Sequence, residues 1–341
     1  MRTKLLDKFT RNSSINEVEK LVKLLKVHGS ENKFFILDQT LLDTPLTDVE
    51  LKALAINLCK NTLGGADGLL VVDTSENCLG KMHVINADGS EAKMCGNGLR
   101  TVSRYLSEKY HLNEFKVETL EASLTVSKAE NFYTGVPAFS VEIAPISFNN
   151  TDLPFSYQKM SEMIDQNIPE FLPNQKFSAV AVPNPHLISF VSEVNEDDLG
   201  TLGKTLNAAN PYFPEGVNVS FAKILDTNKL FVQTYERGVG FTNACGTGMS
   251  ATSLIFALLH SNEFDPTQDI SVYNPGGMVK THVNLNSVKE LSELHLIGNA
   301  TFTHEIQISE LNLHNNNLSN LTVTETGEQK SYQAFVDSIS N

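Results

Sequence analysis

Two spacings of apolar residues take turns along the chain. Residues 21–27 and 34–37 are apolar runs separated by His28-Gly29-Ser30-Glu31-Asn32, which predicts strand, turn, strand. At 46–59 the period changes: Thr47 stands as an N-cap with Glu50 three places on, and Val49, Leu51, Leu54, Ile56 and Leu58 recur at helical spacing. Gly64-Gly65-Ala66-Asp67-Gly68 turns into a short buried strand at 69–72, and an alternating strand follows at 81–86 before Asp88-Gly89. Strand-like alternation resumes after Phe115 and runs to Ile146, where the loop-rich stretch 147–154 offers a domain boundary. The second half repeats this order, with strands near 178–182, 187–191, 217–222 and 230–235, a Gly-rich turn, and an apolar helix from about Thr247. Asn274-Pro275-Gly276-Gly277 predicts a turn between two further strands. Residues 1–20 are polar and read as an extension. From about Leu311 the chain is rich in Asn, Ser, Thr and Gln and reads as a poorly packed polar tail.

A length of 341 residues suits two domains, and 41% hydrophobic with 19% charged residues is an ordinary soluble balance. The 40 acidic residues outnumber the 26 basic ones, a net charge of −14 that argues against nucleic acid and against anionic membranes. No apolar run approaches membrane-spanning length and no secretory signal is visible, so a cytoplasmic location is expected. Four cysteines are too few for a disulfide scaffold, and no CxxC or His-rich spacing suggests a metal. Gly238-Val239-Gly240 lacks the third glycine of a dinucleotide loop, and no phosphate loop is present.

The informative feature is a duplication. INADGSEAKMCGNGLRT at 85–101 aligns without gaps on YERGVGFTNACGTGMSA at 235–251, an offset of 150. Both segments carry Cys-Gly-polar-Gly before a helix-compatible run: Cys95-Gly96-Asn97-Gly98 and Cys245-Gly246-Thr247-Gly248. A helix N-terminus stabilises a thiolate and is expected to lower its pKa, and the free N–H groups there can hold a carboxylate. One such cysteine alone reads equally well as a packing residue. Two at matched positions point to a cofactor-free racemase, with a base on one face of a Cα, an acid on the other, and roles that swap with direction. Facing thiols could also oxidise to an inactive Cys95–Cys245 disulfide. Cys59 reads as core at a helix end, and Cys78 as an incidental loop residue.

At these residues the chain resembles the diaminopimelate epimerase family. The family's start motif is His28-Gly29-Ser30-Glu31-Asn32-Lys33-Phe34, and its first cysteine segment runs from Asn86 to Gly98. Asn184-Pro185-His186, Gly216-Val217-Asn218-Val219 and the segment from Glu236 to Gly248 follow in family order, and the likeness covers roughly residues 22–310. The resemblance implies an α+β fold of two pseudo-symmetric domains, each a mixed barrel-like β-sheet around a central α-helix. It implies that Cys95 and Cys245 are the catalytic acid and base, acting without pyridoxal phosphate or any other cofactor. Backbone N–H groups at Gly96, Asn97, Gly246 and Thr247 would hold the α-carboxylate. Asn32, Asn86, Asn184, Asn218 and Arg237 would hold the distal end of the substrate. Glu236 would accept from an ammonium group, and with His186 would tune the thiols. Departures from the family pattern stand at Glu31, Lys33, Phe241 and Asn243, where Gly, Asp, Glu and Leu are common.

The expected organisation is an extension at 1–20, a first epimerase domain at 21–147 with a returning strand near 298–310, a second at 148–297, and a tail at 311–341. The implied reaction interconverts LL- and meso-diaminopimelate, in lysine and peptidoglycan precursor biosynthesis, in a homodimer that binds only a small molecule. The alternatives are a two-cysteine racemase of proline, hydroxyproline, histidine or glutamate, and a family member without catalysis.

Overall fold

The order of strands and helices occurs twice. The first pass is β1 (Leu21–Gly29), β2 (Asn32–Asp38), α1 (Asp48–Asn61), β3 (Gly68–Asp73), β4 (Gly80–Asn86), β5 (Glu91–Ala92), α2 (Gly96–Tyr110), β6 (Glu114–Glu118), β7 (Ser123–Tyr133) and β8 (Val136–Glu142). After the short β9 (Gln166–Asn167) the second pass is β10 (Lys176–Val182), β11 (Asn184–Phe190), α3 (Glu196–Asn207), β12 (Asn218–Asp226), β13 (Lys229–Glu236), β14 (Gly240–Phe241), α4 (Gly246–Leu259), β15 (Ile270–Asn274), β16 (Gly277–Leu285) and β17 (Leu291–Asn299). The chain ends with β18 (Thr301–Ser309), α5 (Glu310–His314), β19 (Thr322–Glu325) and α6 (Glu328–Ile339). This computed structural model describes residues 19–286 and 291–339, so nearly all of the N-terminal extension lies outside it.

Pairing is also duplicated. β1–β2 is antiparallel, β2–β3 parallel, β3–β4 antiparallel and β4–β6 parallel. β10–β11, β11–β12, β12–β13 and β13–β15 repeat that sequence of senses. Each parallel step is a crossover, made by α1 or α3 outside the sheet and by α2 or α4 inside it. The equivalent strands β8 and β17 pair with each other antiparallel, His295 opposite Glu142 and Asn299 opposite Ala138, so the pseudo-twofold relation passes through that ladder. β18 then returns to pair with β1. The architecture is α+β, one continuous mixed sheet whose two related halves each wrap around a helix.

Both central helices are buried through most of their length although they carry many hydroxyls. Those hydroxyls bond back into their own helix: Thr101 and Ser103 donate to the carbonyls of Gly98 and Leu99, and Ser250, Thr252 and Ser253 to those of Gly246, Gly248 and Met249. The two halves of the sheet therefore close on them without stranding polar groups.

α1 begins with the expected capping box, Glu50 N on Thr47 Oγ1 at 3.3 Å and Thr47 N on Glu50 Oε2 at 2.7 Å. Only Leu51, Leu54 and Leu58 of its apolar set face the core, whereas Val49 is 78% and Ile56 44% exposed. Steps of three and four keep the leucines on one stripe, and Val49 and Ile56, seven apart, share the other.

The C-terminal stretch departs from the sequence expectation. It packs instead of trailing: α6 buries Tyr332 and Phe335 against Val136 and Met278, with Val336 and Ile339 beside them. Its apolar residues stand at i, i+3, i+4 and i+7, a helical stripe that the surrounding polar composition conceals.

Candidate active site

Cys95 and Cys245 are the N-caps of α2 and α4, with extended backbone at φ −141° and −107°. Each Sγ accepts the N–H of the third helical residue, Gly98 at 3.3 Å and Gly248 at 3.4 Å. The two helix starts meet across the molecule. A Cβ on Gly96 would lie 3.0 Å, and one on Gly246 2.9 Å, from the same Leu296 Cδ2 of β17. Asn97 bridges the gap, donating to Ala244 O at 3.3 Å.

The polar groups around Cys95 have only one consistent orientation. Asp67, an acceptor, takes Asn32 Nδ2 at 2.7 Å, so Asn32 Oδ1 faces the thiol at 3.7 Å and also accepts Asn97 Nδ2 at 3.2 Å. Arg100, a donor only, gives Nη1 to Asn97 Oδ1 at 2.9 Å. Cys95 thus meets a carbonyl oxygen and is held as a donating thiol. Around Cys245, Thr247 Oγ1 lies 3.7 Å from Sγ and 3.0 Å from His186 Nε2. Glu236 accepts from Thr242 Oγ1, and its carboxyl lies near enough to Cys245 to raise that thiol's pKa.

Burial dominates the electrostatics. It pushes Cys95 up to about 11 and Cys245 well above the ordinary thiol value, and the nearby Glu236 carboxylate pushes the same way. The backbone donors at the helix starts act in the expected, lowering sense and are outweighed. The lowered thiol pKa expected from the sequence is therefore reversed. Glu236 is itself raised by burial, and His186 is driven down to about 3, so its ring is neutral.

The remaining nominated residues lie on strand ends around the two loops. Asn86 closes β4, donating to Ser90 Oγ at 2.9 Å, and Ala87 N bonds Asp67 O at 3.0 Å beside Asn32. Asn184 and His186 share a face of β11, and His186 sits opposite Asn218 in the parallel ladder. Asn218 Oδ1 accepts the backbone N–H of Arg237 at 2.8 Å. The Arg237 guanidinium is exposed and donates to Glu215 O at 3.0 Å, turned to the rim instead of the thiols. All four cysteines are free. Among the described residues no group of three or more His, Cys, Asp or Glu is placed to hold a metal, and no helix is long and apolar enough to cross a membrane.

The family profile described as diaminopimelate epimerase matches residues 24–139 and 178–303, most of both halves. Diaminopimelate epimerase of Ligilactobacillus salivarius is 52% identical over 322 residues, covering 92% of this chain and 98% of its own. That of Listeria monocytogenes serotype 4a is 46% identical, covering 93% and 97%. The chain belongs to the diaminopimelate epimerase family. It is therefore an isomerase by family. Among solved structures it shares its fold with a Bacillus anthracis phenazine biosynthesis protein of the PhzF family (TM-score 0.62, 16% identity, 85% of this chain and 99% of that one). A hydroxyproline epimerase from Agrobacterium vitis shares it too (TM-score 0.55, 13% identity, 85% and 93%).

Each departure from the diaminopimelate epimerase pattern has a local setting. Ser30 and Glu31 both take the left-handed conformation, φ 53° and 63°, where glycine is the easier residue. Glu31 is anchored there by Gln329 at 2.8 Å, Lys33 at 3.3 Å and the His28 ring at 3.7 Å. Phe241 stacks edge-on against Tyr235, centroids 5.4 Å apart, and Asn243 O accepts Gly276 N at 2.8 Å. Sequence reasoning missed Asp67, Arg100 and Thr242, which orient the nominated residues from behind. Arg100 carried a usable signal: a cation five residues after the cysteine in a helix that must be buried.

Proposed function

We propose that the chain interconverts LL- and meso-2,6-diaminopimelate by proton transfer between two thiols, without a cofactor. The observation that carries this reading is the pair of N-capping cysteines at helix starts that converge on Leu296 from opposite halves. A carboxylate between them would be held by first-turn N–H groups at Gly96, Asn97, Gly246 and Thr247. Those donors strengthen their hold as negative charge spreads from Cα onto the carboxylate. One sulfur, as thiolate, takes the Cα proton and becomes a thiol. The other, as thiol, delivers its proton to the opposite face and becomes the thiolate, so charge and protons balance and the reverse reaction exchanges the roles.

Because burial disfavours both thiolates, the first proton needs an acceptor. Glu236 is the carboxylate in place for Cys245, while His186 positions Thr247 against the same sulfur. Asn32, Asn86, Asn184, Asn218 and Arg237 would bind the distal amino-acid end, the Arg237 fork suiting its carboxylate. Relatives named for this reaction at 44–52% identity over nearly their whole length support this substrate over proline, histidine or glutamate. A homodimer in the cytoplasm completes the reading.

The test is proton NMR in D₂O with reduced enzyme and LL-diaminopimelate, with L-proline, L-histidine and L-glutamate in parallel. Loss of the diaminopimelate α-proton signal is expected, abolished by Cys95→Ala and by Cys245→Ala. Exchange of a different amino acid would move the substrate, and silence throughout would end the catalytic reading.

A further inference from the structure

The family match ends at residue 303, yet the chain continues into α6, whose polar face reaches the back of the active-site turn. Gln329 donates Nε2 to Glu31 Oε1 at 2.8 Å and places Oε1 2.9 Å from His28 Nε2. Since a carboxylate only accepts, the amide orientation is fixed and His28 Nε2 must carry the hydrogen. His28 Nδ1 is then the acceptor, and it takes the N–H of Glu31 at 3.2 Å. One side chain of α6 thereby sets both the tautomer of a fully buried histidine and the carboxylate of a left-handed turn residue. The next residue after that turn is Asn32, which faces Cys95.

Tyr332, one turn further along α6, packs edge-on to the His28 ring at 4.6 Å and donates its hydroxyl to Gly276 O at 2.6 Å. Gly276 in turn is bonded to Asn243, two residues before Cys245. Glu328 anchors the start of α6 on Arg104 of α2 at 2.6 Å. Three successive contacts thus tie α6 to the first cysteine's helix, to the Asn32 turn and to the second cysteine's loop.

We propose that Gln329 and Tyr332 are positioning residues of the epimerase, through which the C-terminal helix α6, beyond the family profile's match, fixes the Asn32 turn and the Asn243–Cys245 loop relative to each other. This inference rests on the two-thiol reading above. A misplacement of about 1 Å at a substrate-holding group can cost up to about a hundredfold in rate. Here the turn is displaced indirectly, and kcat/KM is expected to fall about tenfold.

The experiment uses the full-length chain carrying Gln329→Ala, Tyr332→Phe or, on the exposed face of the same helix, Lys330→Ala. Steady-state epimerisation and thermal melting are measured on each. Gln329→Ala is expected to act mainly by raising KM, because Asn32 is assigned to substrate binding. Tyr332→Phe, which keeps the ring on His28, is expected to lower kcat by releasing the Cys245 loop. Lys330→Ala should match wild type, and all three should melt within a few degrees of it. Unchanged kinetics in both Gln329→Ala and Tyr332→Phe would overturn the proposal. So would activity lost only in proportion to unfolded protein at unchanged KM. A wild-type chain that exchanges no α-proton would instead defeat the underlying functional reading.

Discussion

Cys95 and Cys245 each receive a backbone N–H at a helix start, and each is nonetheless a poorer acid than a free cysteine, because desolvation of the thiolate outweighs those donors. The partner of each sulfur then decides what it does first. Cys95 donates to an amide oxygen that cannot take its proton, whereas the carboxyl acting on Cys245 is that of Glu236, which can. Glu236→Gln keeps the shape and removes the acceptor, so kcat should fall on the order of 10²–10³-fold with KM nearly unchanged. A loss confined to KM would mean that Glu236 only binds the substrate. Burial also fixes the pH dependence. With Cys95 pushed up to about 11, its alkylation in a Cys59→Ala/Cys78→Ser/Cys245→Ala background should keep rising with pH through 9. A plateau below pH 8 would show that the thiolate is already formed at rest.

At the level of elements, the site depends on how closely β1 can approach α2. Gly29 ends β1 against the first turn of α2, and a Cβ there would sit 2.7 Å from Arg100 Nη2 and 3.0 Å from Asn97 O. Gly29→Ala must push the α2 start outward, for which overpacking of about 1–3 kcal/mol is expected. The same shift moves Asn97 and Cys95, so kcat/KM should drop by at least about tenfold. Chemical denaturation and kinetics on the one variant check both halves, and unchanged values for both would mean the interface yields freely. The duplicated loops, the capping box of α1 and most strands were legible in the sequence, since each is a local pattern of period, cap or turn. Asp67 was not, because its meaning arises only when the turn before β3 meets Asn32 of β2, and Arg100 offered only its place in a helix that must be buried. α6 was missed for another reason: asparagine-rich composition around it masked four apolar residues at helical spacing.

For the molecule as a whole, two buried neutral histidines, one in each half, make stability depend on pH. His28 is driven down to about 4 and His186 to about 3, in both cases chiefly by burial, against an ordinary value near 6.5. Below that ordinary value the unfolded chain binds a proton at each that the folded chain refuses, so the unfolded state gains as pH falls. The stability these rings permit is complete above about pH 6.5 and is lost as pH drops toward their folded values, at up to about 1.4 kcal/mol per pH unit for each proton. Glu236 runs the other way: its carboxyl is raised by burial, so its ionisation weighs on the fold at neutral pH and is relieved on acidification. It is one group against two: its relief builds up from its raised value down to the ordinary carboxyl range and offsets at most one histidine's share there. The net expectation is a melting temperature about 5 °C lower at pH 5 than at pH 7. His186→Gln should remove one proton's share of that slope without touching the α6 contacts, and His28→Gln the other. Calorimetry across pH 5–8 on wild type and both variants decides it, since equal slopes in all three would place the acid sensitivity in other groups.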